Sequence, residues 1–219
     1  MTDPRREDVD PGQEAWLDRL RARGALLEGH FRLSSGLHSP HYVQCALFLQ
    51  HPDEARRAAE ALAGRLRERI AEPPAAVVSP AIGGLVLGHE LGRALGCRAV
   101  WVERGPDGKL DLRRGFGFAP GERVVAVEDV VTTAASLREL IQVVEARGAR
   151  LVGVASLVDR SGDQVSWDVP AVRLVRLDPV QHPAETCPQC RAGIPVEKPG
   201  SRPDPPSPGA EQRPAGDVS

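Results

Sequence analysis

Aromatic side chains are scarce in this chain: four Phe, three Trp and one Tyr make up 4% of its 219 residues. Neither sign of charge is in excess, since 28 Lys and Arg against 30 Asp and Glu leave a formal net charge of −2. That near-balance argues against a protein built to grip a nucleic-acid backbone, which calls for a strongly cationic face. No apolar run reaches the roughly 18 residues that a membrane-spanning helix needs. The opening MTDPRREDVD lacks the apolar core of a secretion signal, so a cytoplasmic location is expected. Four cysteines at uneven spacing are too few to staple a chain this long. No internal repeat is visible. What is present, 41% apolar and 26% charged residues, is ordinary for a globular protein, at a length that supports one domain or one domain with a small appendage.

Along the chain, residues 1–13 read as a frayed leader, and Trp16, Leu17, Leu20, Ala25 and Leu26 mark a short helix followed by a loop. The stretch GHFRLSSGLHSPHYVQCALFLQ (29–50) mixes β-prone residues with Ser, Gly, His and Pro, as irregular strands and turns do. HPDEARRAAEALAGRLRERI predicts a helix capped by Asp53, with Ala55, Ala59, Leu62, Leu66 and Ile70 on one stripe. AAVVSPAIGG (75–84) reads as a buried strand ending in a Pro/Gly loop, followed by a helix over 85–96 and a strand over 98–104. Residues 105–122 lack helical periodicity and read as a mobile loop or hairpin. A strand over 123–127, a helix over 136–147, and strands over 150–160 and 172–177 complete the order. Strands alternating with helices predict an α/β fold: a mostly parallel twisted sheet with helices on both faces. Residues 199–219 hold six prolines and almost no large apolar side chain, which predicts a disordered tail.

The chemistry concentrates in VVAVEDVVTTAAS (124–136). In an open parallel sheet, ligands bind outside the carboxyl ends of the strands. After the strand come Glu128 and Asp129, acceptors suited to a sugar diol or hydrated Mg²⁺. After them, Thr132, Thr133 and Ser136 lead into a helix N-terminus, where free N–H groups and the dipole favour an anion. The two ends together fit a sugar phosphate. The same letters also fit a plain helix cap preceded by solvated acids, and the residues alone leave both readings open.

VVAVEDVVTTAAS resembles the phosphoribosyl-pyrophosphate signature of the type I phosphoribosyltransferases. GHFRLSSGLHSPHYVQCALFLQ, SPAIGGLVLGHELGRALG, ER…GKLDLRRGF…PGERV and LVDRSG resemble, in order, a bacterial branch of the orotate phosphoribosyltransferases from about Leu26 to Arg202. The resemblance implies that family's fold, with a small N-terminal hood mainly over 25–50, a core over about 53–180 and one domain over 14–198. It implies the conversion of orotate and phosphoribosyl pyrophosphate to orotidine 5′-monophosphate and pyrophosphate, with Mg²⁺, in pyrimidine biosynthesis. It also implies a homodimer with shared active sites.

Carried over position by position, Thr132, Thr133, Ala134, Ala135 and Ser136 form the 5′-phosphate loop. Glu128 and Asp129 hold the ribose, with Val130 and Val131 inside the same signature. Thr132 and Arg160 hold orotate, and Ala81, Gly83 and Gly84 belong to the pyrophosphate loop. Arg104 and Lys109 fall on a catalytic loop that closes over the neighbouring subunit's site. An ion pair of Arg160 with Asp159 or Asp163 is the plain alternative for that residue, and a solvated hairpin the alternative for Arg113 and Arg114. Ser34 stands where some members place an orotate-contacting lysine, so that contact is not carried over. His38 and His41 are expected to be ordinary polar hood residues, and no side chains are assigned as protein ligands of a metal.

Ala134 and Ala135 depart from the Thr-Thr-Gly-Gly-Ser usual in this branch. If φ > 0 is required there, each alanine costs roughly 1–2 kcal/mol; if both are helical, alanine is compatible and favours the helix. These alanines motivate the alternative of a non-catalytic phosphoribosyl-pyrophosphate sensor on the same fold. A purine phosphoribosyltransferase is a third reading, disfavoured by FRLSSGLHS and LVDRSG. CPQC (187–190) supplies two thiols, whereas a structural zinc wants four ligands. Cys45 and Cys97 or His182 contribute only if the fold brings them close; a reactive dithiol and a simple anchor for the tail are the other readings.

Overall fold

The computed structural model describes residues 12–33, 35–162, 165–178 and 180–199. Nearly all of the expected tail and of the expected leader lies outside them, as do Ser34 and Asp163. In chain order the elements are α1 (Gln13–Ala22), β1 (Leu26–Arg32), β2 (His38–Val43), α2 (Cys45–Leu49) and α3 (Pro52–Arg69). Then come β3 (Ala76–Pro80), α4 (Leu85–Leu95), β4 (Arg98–Arg104), β5 (Leu110–Leu112) and β6 (Arg123–Val131). The last are α5 (Ala135–Ala146), β7 (Arg150–Asp159), β8 (Ala171–Arg176) and the short α6 (Pro188–Arg191). They form two compact units, one of residues up to Leu27 with Val43–Val180, the other of Glu28–Tyr42 with residues from Gln181 onward.

The larger unit is a six-stranded sheet in the order β5-β4-β3-β6-β7-β8. Its pairings are parallel except at the β5 edge. Because strand side chains alternate between faces, Val125 and Val127 join one core with Leu62 and Leu66 of α3 and Leu87 and Leu91 of α4. Val124 and Ala126 join the opposite core with Leu137, Leu140 and Val144 of α5. Helices therefore cover both faces. The α3 stripe lies as its spacing requires, but His51 rather than Asp53 is the N-cap, and no side chain caps the helix. Pro52 opens the first turn, and Asp53 and Glu54 stand within it, where a carboxylate favours the dipole. Gly96 ends α4 at φ +75°, the left-handed stop that glycine makes without strain.

From β3 the chain crosses through α4 to β4 on one side, whereas from β6 it crosses through α5 to β7 on the other. The carboxyl ends of β3 and β6 thus flank the switch point, where a crevice opens in doubly wound sheets.

The smaller unit pairs β1 with β2 and adds the C-terminal segment. Phe31 bridges Glu197 in parallel, and His38 bridges His182 antiparallel. Arg32 N–H donates to Glu197 O at 2.8 Å and His182 N–H to His38 O at 2.9 Å. The hood expected over 25–50 is therefore differently composed. CALFL is the helix α2, and it buries Cys45, Phe48 and Leu49 in the larger unit's core. A five-residue apolar run carries no periodicity that separates strand from helix.

Candidate functional site

β6 is longer than the sequence pattern indicates. Glu128 and Asp129 lie within the strand, Glu128 opposite Ser156 and Val131 opposite Asp159. The acids are half-buried strand-end residues rather than solvated turn residues. Burial, then the Asp129 charge, push the Glu128 carboxyl up to about 7, and the Arg104 guanidinium draws it part of the way back. Burial raises the Asp129 carboxyl as well. Two crowded carboxylates held above their usual range call for hydroxyl donors or a cation.

The loop after β3 closes on them. A Cβ built on Gly83 would lie 2.8 Å from Asp129 Oδ1 and 3.1 Å from Oδ2. Only glycine lets this backbone come so near the carboxylate. At Gly84 a Cβ would meet Pro80 Cδ at 3.0 Å and Ser79 Cβ at 3.2 Å, a tight approach to the end of β3. Ala81 N–H donates to Val102 O at 2.8 Å, tying the loop to β4, and the Ala81–Ile82 peptide is cis.

The loop after β6 answers the question of the alanines, and the answer differs for the two. Ala134 is the N-cap of α5 at φ +60°, ψ +13°, in the left-handed region. Ala135 is the first residue of α5 and is compatible with it. Ala134 is only 3% exposed and belongs to the core cluster with Val131 and Leu137, so its methyl is packed rather than presented to a ligand. No side chain caps α5; Thr133 Oγ1 accepts from Ala135 N–H at 3.4 Å. Thr132 and Thr133 are exposed and Ser136 is half-buried, which leaves a hydroxyl-rich helix N-terminus suited to an anion.

Arg160 follows β7 directly and donates its backbone N–H to Val131 O at 2.7 Å, which sets it beside Thr132 at the sheet's carboxyl edge. The residue is buried, and burial lowers its pKa. Asp159 accepts from Ser161 Oγ at 2.6 Å and pairs with Arg173 at 3.8 Å. Arg104 donates to Gly108 O at 2.6 Å and pairs with Glu139 of α5 at 3.1 Å.

Glu139 also accepts from Leu110 N–H at 2.8 Å, so it pins both flanks of the β4–β5 hairpin. Sequence reading passes over this residue; its only signal is an acid one turn after Ser136 on α5. Lys109 stands exposed on the hairpin turn, its N–H bonded to Asp107 Oδ1 at 3.2 Å. Arg114 is paired with Glu103 and lies over the Trp101 ring, 6.0 Å from its centroid, a structural role. The fold thus gathers Glu128, Asp129, Gly83 and Arg104, sets Thr132 beside Arg160, and carries Lys109 on the hairpin.

Against this geometry, comparison with known proteins is consistent. The phosphoribosyl transferase domain model matches residues 47–188. A protein named orotate phosphoribosyltransferase from Heliobacterium modesticaldum is 50% identical over 190 residues, covering 87% of this chain and 98% of that protein. One of the same name from Thermus thermophilus is 48% identical over 182 residues, 83% of this chain and 98% of its own. The crystal structure of orotate phosphoribosyltransferase from Aeropyrum pernix superposes with a TM-score of 0.60 at 28% identity, covering 73% of this chain and 92% of that one.

Proposed function

The chain belongs to the phosphoribosyltransferase family, among its orotate phosphoribosyltransferases, and from that premise we propose how its residues carry out the reaction. It transfers the 5-phosphoribosyl group from phosphoribosyl pyrophosphate to orotate, giving orotidine 5′-monophosphate and pyrophosphate in pyrimidine biosynthesis. The carrying observation is the convergence at one switch point of the acid pair, the Gly83 approach and the neighbouring Thr132 and Arg160.

In this reading Thr132–Ser136 cradle the 5′-phosphate through first-turn N–H groups and hydroxyls. Glu128 and Asp129 accept from the ribose diol, which relieves their mutual repulsion. The Gly83–Gly84 backbone admits the pyrophosphate close to Asp129, and Arg160 meets the orotate carboxylate with its planar fork. Holding the two reactants in line, while cationic side chains offset the leaving group's charge, is the main catalytic work of such a site. Paired carboxylates beside a phosphate site also fit Mg²⁺, which takes one or two carboxylates plus substrate oxygens. When bound, Mg²⁺ would neutralise charge on the pyrophosphate.

A homodimer completes the proposal, with Lys109 on the hairpin of one copy contributing to the site of the other, while Arg104 offsets charge beside Glu128 in its own chain. Leu47 and Val86, exposed in the single chain, supply apolar surface for that pairing. We place the enzyme in the cytoplasm; no described helix is long and apolar enough to cross a membrane. The sensor reading loses its main support, because Ala135 is helical and the Ala134 methyl is packed in the core.

Arg160→Ala tests the assignment. Loss of a charged, bidentate contact should raise the KM for orotate by roughly ten- to a hundredfold, with the KM for phosphoribosyl pyrophosphate nearly unchanged. An equal rise in both would remove Arg160 from the base site.

A further inference from the structure

His30 and His38, on β1 and β2, and Cys187 and Cys190, of CPQC, each offer one ligand atom, and all four atoms lie within 4.8 Å of one another. All four residues belong to the smaller unit. None belongs to the substrate site. His30 Nε2 lies 3.5 Å from Cys187 Sγ and 3.6 Å from Cys190 Sγ. His38 Nδ1 lies 3.2 Å from Cys190 Sγ and 2.9 Å from His30 Nε2. We propose that these residues form a Cys₂His₂ structural zinc site that fastens the C-terminal segment to the β1–β2 hairpin.

The geometry supports a tetrahedral ion. Zinc–nitrogen and zinc–sulfur bonds of about 2.0 and 2.3 Å at tetrahedral angles set nitrogen–sulfur edges at about 3.5 Å and nitrogen–nitrogen edges at about 3.3 Å. The nitrogen–sulfur distances of 3.2, 3.5 and 3.6 Å bracket that edge, the nitrogen–nitrogen distance of 2.9 Å is a few tenths of an ångström shorter than its edge, and both cysteines are free thiols rather than a disulfide. Outer contacts orient the donors as well. His30 Nδ1 lies 2.8 Å from Ile194 O. A carbonyl only accepts, so in the neutral ring Nδ1 carries the proton and Nε2 turns its lone pair into the cluster. Gln189 Nε2, between the two cysteines, donates to Gly29 O at 2.7 Å.

His30, His38 and Cys187 are buried, and Cys190 borders solvent. Binding releases the two thiol protons, and two thiolates with two neutral imidazoles balance the charge of Zn²⁺. Four protein ligands leave no open position, the mark of a structural rather than a catalytic ion. The physical need is plain: a hairpin and one short segment bury little apolar surface of their own, and units of that size are commonly held by a metal.

The test uses the full-length enzyme, purified without chelator from cells grown with zinc. Elemental analysis should find about one zinc per chain. Exchange for Co²⁺ should give the intense visible absorption of tetrahedral cobalt with a thiolate charge-transfer band. Cys187 and Cys190 should resist alkylation until zinc is stripped, whereas Cys97 should react equally in both states. His30→Ala and Cys190→Ser should each lose the metal and loosen residues 181–199 to protease, and a variant that fails to fold leaves the wild-type measurements decisive. Zinc-free wild-type protein with no tetrahedral cobalt spectrum, or a Cys187–Cys190 disulfide in freshly isolated protein, would overturn the assignment.

Discussion

Replacing Ala134 by glycine separates backbone strain from packing in the proposed phosphate loop. At φ +60° an alanine is disfavoured by roughly 1–2 kcal/mol, which glycine relieves. Against that gain, glycine adds roughly 0.4–1 kcal/mol of unfolded-chain entropy. Removing a methyl from a position 3% exposed forfeits about 0.8 kcal/mol of burial. The three effects nearly cancel, so Ala134→Gly should leave stability within about 1 kcal/mol of wild type, or within about 2–4 °C in Tm. Ala135→Gly has no strain to relieve, because Ala135 is already helical, and should lower stability by up to about 1 kcal/mol.

Thermal melts of both single variants measure the contrast, with the KM for phosphoribosyl pyrophosphate as the functional readout. That KM should change less than about threefold in Ala134→Gly, an effect well under 1 kcal/mol, because the methyl points into the core. A loss of about 2 kcal/mol or more in Ala134→Gly would refute the left-handed assignment.

Three further outcomes follow from the same site. Glu128 holds its proton up to about 7 in the folded protein against an ordinary 4.5. The folded state therefore binds the proton more tightly across that window, and the contribution to stability falls as pH rises through it. The advantage of Glu128→Gln over wild type should be small near pH 4.5, grow toward pH 7 to an order of 3 kcal/mol, and then level off, as urea titrations would reveal; an advantage independent of pH would contradict it. Gly83→Ala should fold but lose on the order of a hundredfold in kcat/KM, because its Cβ would displace the Asp129 carboxylate; near-normal turnover would show that this approach is dispensable. If the sites are shared, mixing inactive Lys109→Ala and Asp129→Asn proteins should restore roughly a quarter of wild-type activity through hybrid dimers, whereas no recovery would place both residues in one subunit's site.

Much of the fold is legible in the sequence because the parallel strands are short apolar runs ended by Pro, Gly or charge. The strand 98–104 and the helix stripe of Ala55, Ala59, Leu62 and Leu66 lie where the pattern indicates. β6 is misread for a physical reason. Acids read as turn formers, yet Glu128 and Asp129 lie near the carboxyl end of a central strand, where Val130 and Val131 still pair with Val158 and Asp159. The residues of the candidate site are readable as a group because their motifs are contiguous and lie at strand ends. Glu139 is not, since its partners Arg104 and Leu110 are 35 and 29 residues away. His30 and Cys187 are 157 residues apart, and only the folded chain joins the CPQC thiols to the hairpin histidines; two histidines in a polar hairpin beside one C-x-x-C is the faint signal that could have found them. Cys45, Cys97 and His182, the partners weighed from sequence, are not in the cluster.

Steady-state formation of orotidine monophosphate by the wild-type protein, with orotate, phosphoribosyl pyrophosphate and Mg²⁺, tests the central claim most directly, with adenine and hypoxanthine offered in parallel. Turnover with orotate and none with the purines is the predicted result. Tight binding of phosphoribosyl pyrophosphate without turnover of any base, or turnover of a purine in preference to orotate, would contradict it.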